Sequence, residues 1–442
     1  MKRIYIPIFL LSLLLLLLIP KVAPQHAALT IIVGFNTRHG LGVNDFPTFV
    51  RTIKKIGFEV IEVDGVEDAI SKGVDVLIVA GFKKSLEEGK VGIVENFVLK
   101  GGAIFIIENW QYASIFGVEI SDAEICVKGS GGVCQPVLAK PFTDHVTTVG
   151  VGEVRFIKPR YLSIANPDAV RIIVAEEAWI DLNGDDRIEE NEEYTKDAPI
   201  AAVIKRGLGR IAIVSSTTFI DEENIEKAFN VAFARNLIEW LATPAKAAKK
   251  MKSLQRDLKS LENIIPTIES PEGKDSVRSL IKSFSEDVIS INKTLRKGLA
   301  EEALKEVEAL ISEYKYVLQN ISSLRDIEGK LKTLNSKISA AKNKGIDVSK
   351  AEKILSDAES TTTLAFLNLG RREYAEASQK IKEIYKLIED AENALNEAIR
   401  RHEEQRRMIL IGGVIAAVVI IVVVAVIFKR RKKEELEVVI EG

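Results

Sequence analysis

Residues 181–192 have the composition and spacing of a calcium-binding loop. Oxygen-bearing side chains occupy its first, third, fifth, ninth and twelfth positions, and its seventh residue would contribute a backbone carbonyl. The six predicted ligand residues are Asp181, Asn183, Asp185, Arg187, Glu189 and Glu192. Because Ca²⁺ takes about six to eight oxygen ligands, the pattern predicts a structural calcium site. It departs from the usual pattern at Asp186, where such loops place glycine.

The alternative for this segment is an acidic loop that is merely hydrated. Carboxylates crowd it with Arg187 as the only cation, and their mutual repulsion favours a bound divalent ion. The flanking segments 171–175 and 200–205 have the apolar, β-branched character of strands. We therefore expect the ion to tie a β-hairpin together, without opening a pair of helices.

Cys126 and Cys134 are the only cysteines of the chain, which excludes a disulfide-rich scaffold. The short glycine-containing segment between them can close a small loop, and thiols outside the cytoplasm tend to pair. We therefore predict a disulfide between them. The alternative, a nucleophilic cysteine, lacks a nearby histidine in the sequence and a strained glycine-flanked turn.

A second set of polar residues follows two predicted strands. Asn36, Arg38 and His39 come after the first strand, and Asn109 comes after the fourth. Open parallel sheets bind ligands at the carboxyl ends of their strands, so these four residues are predicted to bind a ligand. The alternative is that Arg38 and His39 only cap or hydrogen-bond a loop.

The elements that must position these residues are alternating strands and helices. Continuous apolar runs predict strands at 30–35, 58–63, 74–80 and 103–107, separated by helical patterns that end at glycines. Such an alternation predicts a doubly wound, mostly parallel α/β sheet. Further strands at 171–175, 200–205 and 210–215 and a helix at 222–241 complete a domain over residues 29–242.

Several short motifs of this domain resemble the glutamine amidotransferase-like superfamily, in its DUF4350 and GldG-like branch. They are Asn36-Thr37-Arg38-His39-Gly40, Val79-Ala80-Gly81, Gly101-Gly102-Ala103, Gly207-Leu208-Gly209-Arg210 and Asn236-Leu237-Ile238-Glu239-Trp240-Leu241. The resemblance implies a flavodoxin-like sheet and an accessory role beside a transporter or envelope machine. True amidotransferases carry a cysteine nucleophile on an elbow and a later histidine with a carboxylate, and neither is visible here. The head is therefore expected to be catalytically inactive.

The two ends of the chain predict export and membrane anchoring. Residues 408–428 are apolar and uncharged, which meets the ~20 residues that a membrane span needs. The basic run 429–433 favours a cytoplasmic tail over residues 429–442. Residues 1–28 resemble a signal peptide, with an uncleaved anchor as the alternative. The bulk of the chain is then extracellular, on a single-pass protein of the cell membrane.

Residues 243–407 are rich in Lys, Glu, Ala, Leu and Ile with helical periodicity, which predicts an all-α bundle or coiled-coil stalk. Proline and glycine divide it into helices at 245–265, 272–297, 299–344, 347–369 and 371–407. The change of composition that begins this segment occurs at Thr243 and Pro244. The stalk would serve as a spacer or for self-association.

These features together predict a membrane-anchored protein that binds an unidentified small ligand or a protein partner. A net charge of -2 provides no positive field for nucleic acid. Two alternatives stay open: an exported hydrolase that uses His39 with an unidentified nucleophile, and a purely structural surface protein.

Overall fold

The computed structural model describes residues 30–129, 132–182, 184–185, 187 and 193–440, with the backbone alone for 430–440. The predicted signal peptide at 1–28 therefore lies outside the described residues. The chain divides into two compact units. The first unit extends to Lys259 and includes Ser285–Ile311, and the second consists of Ser260–Phe284 and Ser312–Gly442.

The first unit contains one mixed sheet with strand order β2-β1-β3-β4-β12-β11-β10-β5-β6. Its first five strands in that order are parallel to one another. They are β1 (Ile32–Asn36), β2 (Glu59–Val63), β3 (Val76–Ala80), β4 (Ala103–Ile107) and β12 (Gly209–Val214). This half has the flavodoxin-like arrangement in which the chain leaves β1 and β3 in opposite directions.

Burial on both faces explains why the central strands are continuous apolar runs. Every residue of β3, β4 and β12 is buried. One face packs against α1 (Pro47–Lys55) and α5 (Asn230–Glu262). The other face packs against α2 (Val66–Ser71), α3 (Val91–Leu99) and α4 (Trp110–Ile115). The predicted α/β layers are confirmed.

The other half of the sheet is antiparallel, so the expected mostly parallel pairing applies to the first half alone. It contains β5 (Val118–Lys128), β6 (Cys134–Gln135), β10 (Val170–Asp181) and β11 (Glu193–Arg206), with β11 also pairing β12. Three shorter strands pair at its side: β7 (Val137–Pro141), β8 (Val154–Phe156) and β9 (Arg160–Ile164). The strands predicted at 171–175 and 200–205 lie within β10 and β11, whereas β5 to β9 were not predicted. Antiparallel strands can be joined by short turns without a crossover helix, so the strand–helix alternation did not indicate them.

The helices expected at 222–241 and 245–265 are instead one helix, α5, which runs without interruption past Pro244 from Asn230 to Glu262. Proline inside a helix removes the hydrogen bond to the carbonyl four residues earlier, here that of Trp240. In this protein the Trp240 carbonyl accepts a hydrogen bond from Nη1 of Arg210 at 2.6 Å. The side chain of a β12 residue thus replaces the missing backbone donor.

Arg210 is only 1% exposed and has further partners within the first unit. Its guanidinium lies 4.7 Å from the centre of the Trp240 ring, and its Nη2 lies 2.6 Å from Oε2 of Glu301. Burial lowers the pKa of Arg210, and the Glu301 carboxylate opposes that shift. One buried cation therefore connects the sheet, α5 and the segment that carries Glu301.

The remaining helices are α6 (Pro271–Arg296), α7 (Ala300–Lys342), α8 (Ser349–Gly370) and α9 (Tyr374–Ile440). In the second unit, Arg372 adopts a left-handed backbone conformation at the turn before α9 and binds both carboxylate oxygens of Glu313 at 2.7 and 2.8 Å. One face of α9 is apolar and buried, in agreement with the helical periodicity of this segment; its residues are Ala377, Ile381, Ile384, Ile388, Ala391 and Leu395.

Among the described residues, one helix is long and apolar enough to cross a membrane. It is α9, whose apolar part coincides with the predicted span at 408–428 and whose side chains there are exposed. A helix that is apolar all round and has no protein against it suits a lipid environment. This fits single-pass anchoring.

Replacing Arg210 by methionine should lower the free energy of unfolding of the first unit by about 3 kcal/mol, because a buried carbonyl and a carboxylate lose their partner. In a Pro244→Ala background the loss should be about 1 kcal/mol smaller, since the restored N–H can bind the Trp240 carbonyl. Denaturation followed by tryptophan fluorescence measures this unit, which contains Trp110, Trp179 and Trp240, all three tryptophans of the chain.

The matched control is Arg206→Met, which removes an exposed arginine from the same hairpin and should change stability little. An equal loss for Arg210→Met in both backgrounds would show that Arg210 does not compensate for Pro244.

Candidate functional site

The carboxyl edge of the parallel strands brings three of the four predicted ligand residues together. Asn36 ends β1, His39 lies in the loop after it, and Asn109 precedes α4 after β4. All three side chains are buried. They meet at the topological switch point between β1 and β3, where the ligand crevice of an open α/β sheet is expected.

Backbone hydrogen bonds join two loops of the chain at this crevice. The loop after β1 binds the loop after β3 through Leu41 N–H to the Ala80 carbonyl at 2.6 Å and Lys83 N–H to the His39 carbonyl at 3.1 Å. At Gly40, a Cβ atom would lie 2.6 Å from the Ala80 carbonyl oxygen. Only glycine allows the two loops to approach this closely.

Asn36 and His39 hydrogen-bond within this layer. The Asn36 amide donates from Nδ2 to the Tyr112 hydroxyl at 3.1 Å, and its Oδ1 accepts from the His39 backbone N–H at 3.2 Å. Nδ1 of His39 lies 3.1 Å from the Lys84 carbonyl, which can only accept, so Nδ1 carries the proton in this contact. Burial raises the pKa of Tyr112 to about 12, which keeps its hydroxyl protonated.

Asn109 is the centre of the hydrogen-bond layer. Its Nδ2 donates to the carbonyls of Gly81 at 2.8 Å and His39 at 3.3 Å, and its Oδ1 accepts from Tyr112 N–H at 3.2 Å. The last bond caps α4 at its N-terminus. One side chain thus joins the ends of β1, β3 and β4.

Arg38, the fourth predicted ligand residue, points away from this layer. Its Nε and Nη2 bind the two carboxylate oxygens of Asp64 at 2.8 and 2.6 Å on the protein surface. The hydrogen bond from Arg38 lowers the pKa of Asp64. In this structure Arg38 and His39 form bonds that hold loops, which is the role given to them by the alternative to ligand binding.

Glu108 and Asn109 lie between β4 and α4, and the backbone of Glu108 is left-handed with φ of 53°. Such strained strand-to-helix turns are where some enzymes hold a nucleophile. The Glu108 carboxylate instead accepts hydrogen bonds from the N–H and hydroxyl of Thr217 at 2.9 and 2.8 Å. Among the described residues, no serine, threonine or cysteine side chain hydrogen-bonds the His39 ring.

Two aromatic residues next to this layer were not predicted from the sequence. Phe82 and Trp110 are 45% and 47% exposed, and their ring centres lie 5.8 Å apart. They directly follow Gly81 and Asn109, so each is held by a loop that the Asn109 side chain fixes. Large aromatic residues immediately after strand ends were the sequence signal that could have revealed them.

The predicted calcium loop forms the tip of the β10–β11 hairpin, so its flanks are strands, as the sequence predicted. Asn183, Glu189 and Glu192 lie outside the described residues. Asp181 is buried and its Oδ1 accepts from Gly184 N–H at 2.6 Å. Oδ1 of Asp185 accepts from Arg187 N–H at 2.9 Å. Within the described part of the chain, no group of three metal-ligating side chains is assembled.

Cys126 and Cys134 form a disulfide that joins β5 to β6. The neighbouring Val133 forms an isolated antiparallel bridge with Arg187 of the hairpin tip. β5 also pairs β10 beside Cys126. The disulfide-closed loop therefore borders the predicted calcium loop.

No protein-family model and no curated protein matches the chain. Solved structures similar to it include the "mmIFT52 N-terminal domain", with 14% identity, a TM-score of 0.38, and coverage of 48% of this chain and 97% of that one. Another is a putative GMP synthase component from Thermoplasma acidophilum, with 12% identity, a TM-score of 0.29, and coverage of 50% and 98%. At these values neither likeness bears on function.

Replacing Asn109 by alanine should lower the stability of the first unit by about 1 to 3 kcal/mol, because two buried carbonyls lose a donor and α4 loses its cap. Asn109→Asp keeps the cap acceptor but removes the donors, so it separates the two contributions. Tryptophan fluorescence during denaturation measures both variants. Asn96→Ala, at an exposed position on α3, is the control. If it lowers stability as much as Asn109→Ala, the role of Asn109 in joining the strand ends is contradicted.

Proposed function

We propose that this chain is a membrane-anchored binding protein whose α/β head captures a protein partner without carrying out a reaction. The observation that carries the proposal is the contrast at the carboxyl edge of the parallel strands. There the buried polar side chains bond to the chain itself, while the Phe82 and Trp110 rings beside them face solvent. A binding surface needs exposed side chains, whereas a catalytic site needs polar side chains that are free to contact a substrate.

The chemistry of the exposed pair favours a protein partner. Tryptophan and other aromatic side chains dominate the central contacts of protein interfaces, where they bury a large area with few rotatable bonds. Exposed charges of both signs follow Phe82 in the chain, namely Lys83, Lys84, Glu87 and Glu88. An apolar centre with a mixed polar rim is the usual arrangement of such interfaces.

The orientation of the protein forms part of the proposal. The basic run 429–433 after the apolar segment supports a cytoplasmic tail, and the disulfide suits an extracellular head. The resemblance to DUF4350 and GldG-like domains supports a catalytically inactive amidotransferase-like head with an accessory role beside a transporter or envelope machine. The helical stalk offers a surface for self-association. The hydrolase alternative would require a nucleophile at His39.

A photoreactive phenylalanine analogue at position 82 tests the partner surface in intact membranes. We expect it to give a discrete cross-linked protein whose yield falls at least about fivefold when Trp110 is replaced by alanine, since a central interface residue contributes more than about 1 kcal/mol. Gel mobility and mass spectrometry of the adduct measure this.

The control places the same analogue at Phe142, which is similarly exposed but lies on another part of the head. Equal yields from positions 82 and 142, or a yield unaffected by Trp110→Ala, would contradict the proposal. Adducts with sugars or other small molecules alone would indicate a different class of ligand.

We further propose that the hairpin tip binds a structural Ca²⁺ through Asp181, Asn183, Asp185, Arg187, Glu189 and Glu192. The spacing of these residues supports the site, as does the hairpin that brings both ends of the segment together. Extracellular calcium modules bind in the range of about 10⁻⁴ to 10⁻³ M. The ion would fix the loop beside the disulfide.

Saturating Ca²⁺ should stabilise the head by about 1 to 3 kcal/mol when its concentration is ten- to a hundredfold above Kd. Glu192→Gln should abolish this gain, because it removes the expected bidentate ligand. Calorimetric titration and unfolding in calcium or chelator measure the effect. Glu190→Gln alters a non-ligand position of the same loop and should retain it. If the unfolding midpoint of the wild type does not change across millimolar calcium, the proposed calcium site is wrong.

A further inference from the structure

The apolar part of α9 is preceded directly by a pair of arginines. Residues 408–428 extend for about 30 Å at 1.5 Å per residue, which matches the hydrocarbon thickness of a bilayer. Arg406 and Arg407 immediately precede this segment. In a spanning helix they lie about 2 to 3 Å beyond the hydrocarbon edge, within the headgroup layer.

Four arginines precede the apolar segment, but their ion pairs differ. Arg400 lies 3.8 Å from Glu404, and Arg401 pairs with Glu397 one turn earlier. Arg406 and Arg407 make no ion pair with a described residue, although Glu403 lies one turn away from both. The guanidinium groups of the two arginines nearest the apolar segment are therefore available to bind an anion.

The geometry of α9 presents these two side chains to lipid. Successive residues of a helix point about 100° apart, so Arg406 and Arg407 cover adjacent sides of the same turn. Both are exposed, and no described protein segment packs against them. Guanidinium groups bind phosphate oxygens through paired hydrogen bonds, which are stronger than those of a neutral donor.

We propose that Arg406 and Arg407 form a binding site for the phosphate of anionic lipid headgroups. The proposal rests on the membrane anchoring proposed above, and it holds for either orientation of the span. Each basic residue near an anionic surface favours association by about fivefold. Arg400 and Arg401, about 10 to 12 Å from the apolar segment and already paired, contribute little.

Lipid retention by the full-length protein tests this site. The protein is reconstituted into nanodiscs containing equal amounts of phosphatidylglycerol and phosphatidylcholine, extracted with mild detergent, and analysed by native mass spectrometry. We expect phosphatidylglycerol to be retained at least tenfold over phosphatidylcholine. The basic run 429–433 adjoins the other end of the apolar segment and can bind the same headgroups, so the variants are compared in proteins that carry glutamine at these five positions. In that background the Arg406→Gln, Arg407→Gln double variant should remove most of the preference, whereas the Arg400→Gln, Arg401→Gln double variant should preserve it.

Equal retention of the two lipids by the wild type, or the same preference in the 406/407 double variant, would overturn the proposal. Loss of the preference in millimolar inorganic phosphate would assign the site to free phosphate in place of lipid. Failure of the protein to enter nanodiscs at all would instead overturn the membrane anchoring, so the two proposals fail in distinguishable ways.

Discussion

The buried Arg210 is the interaction on which the arrangement of the first unit depends. A guanidinium with almost no exposure is costly to desolvate, and only several partners together can offset that cost. The Trp240 carbonyl, the Trp240 ring and the Glu301 carboxylate supply them. Pro244 leaves the Trp240 carbonyl without a backbone donor, and the buried guanidinium of Arg210 needs an acceptor. The hydrogen bond between them meets both needs. Helix α5 can therefore continue beyond the sheet that it covers.

Burial of the parallel strands on both faces confines polar chemistry to the strand ends. In β3, β4 and β12 no residue reaches solvent, so functional side chains can gather only in the loops that follow. This protein uses its buried amides there to fasten those loops to one another. The same bonds hold Phe82 and Trp110 in place, so a rigid polar layer supports an exposed aromatic surface. Preorganised side chains lose less entropy when a partner binds.

Local patterns predicted the parallel half of the sheet, since apolar runs and terminating glycines are properties of short segments. The meeting of Asn36, His39 and Asn109 was also predictable, because carboxyl ends of parallel strands share one edge. Their bonding partners were not, since they depend on how closely Gly40 lets two loops approach. The prediction of a helix boundary at Pro244 is wrong because the compensating donor comes from Arg210, on a strand distant in sequence. The calcium ligands remain a prediction from spacing.

Helix α9 passes from the second unit's core to beyond the apolar segment as one unbroken rod. Sharp bends in helices need proline, glycine pairs or an inserted group, and along this helix such a pair occurs at Gly412 and Gly413, inside the apolar segment. Between Tyr374 and Met408 there is neither proline nor glycine to absorb a bend or twist. If the apolar segment spans a bilayer, a tilt or rotation of the helix there would therefore reach the turn that Arg372 holds, with little bending between Met408 and Tyr374.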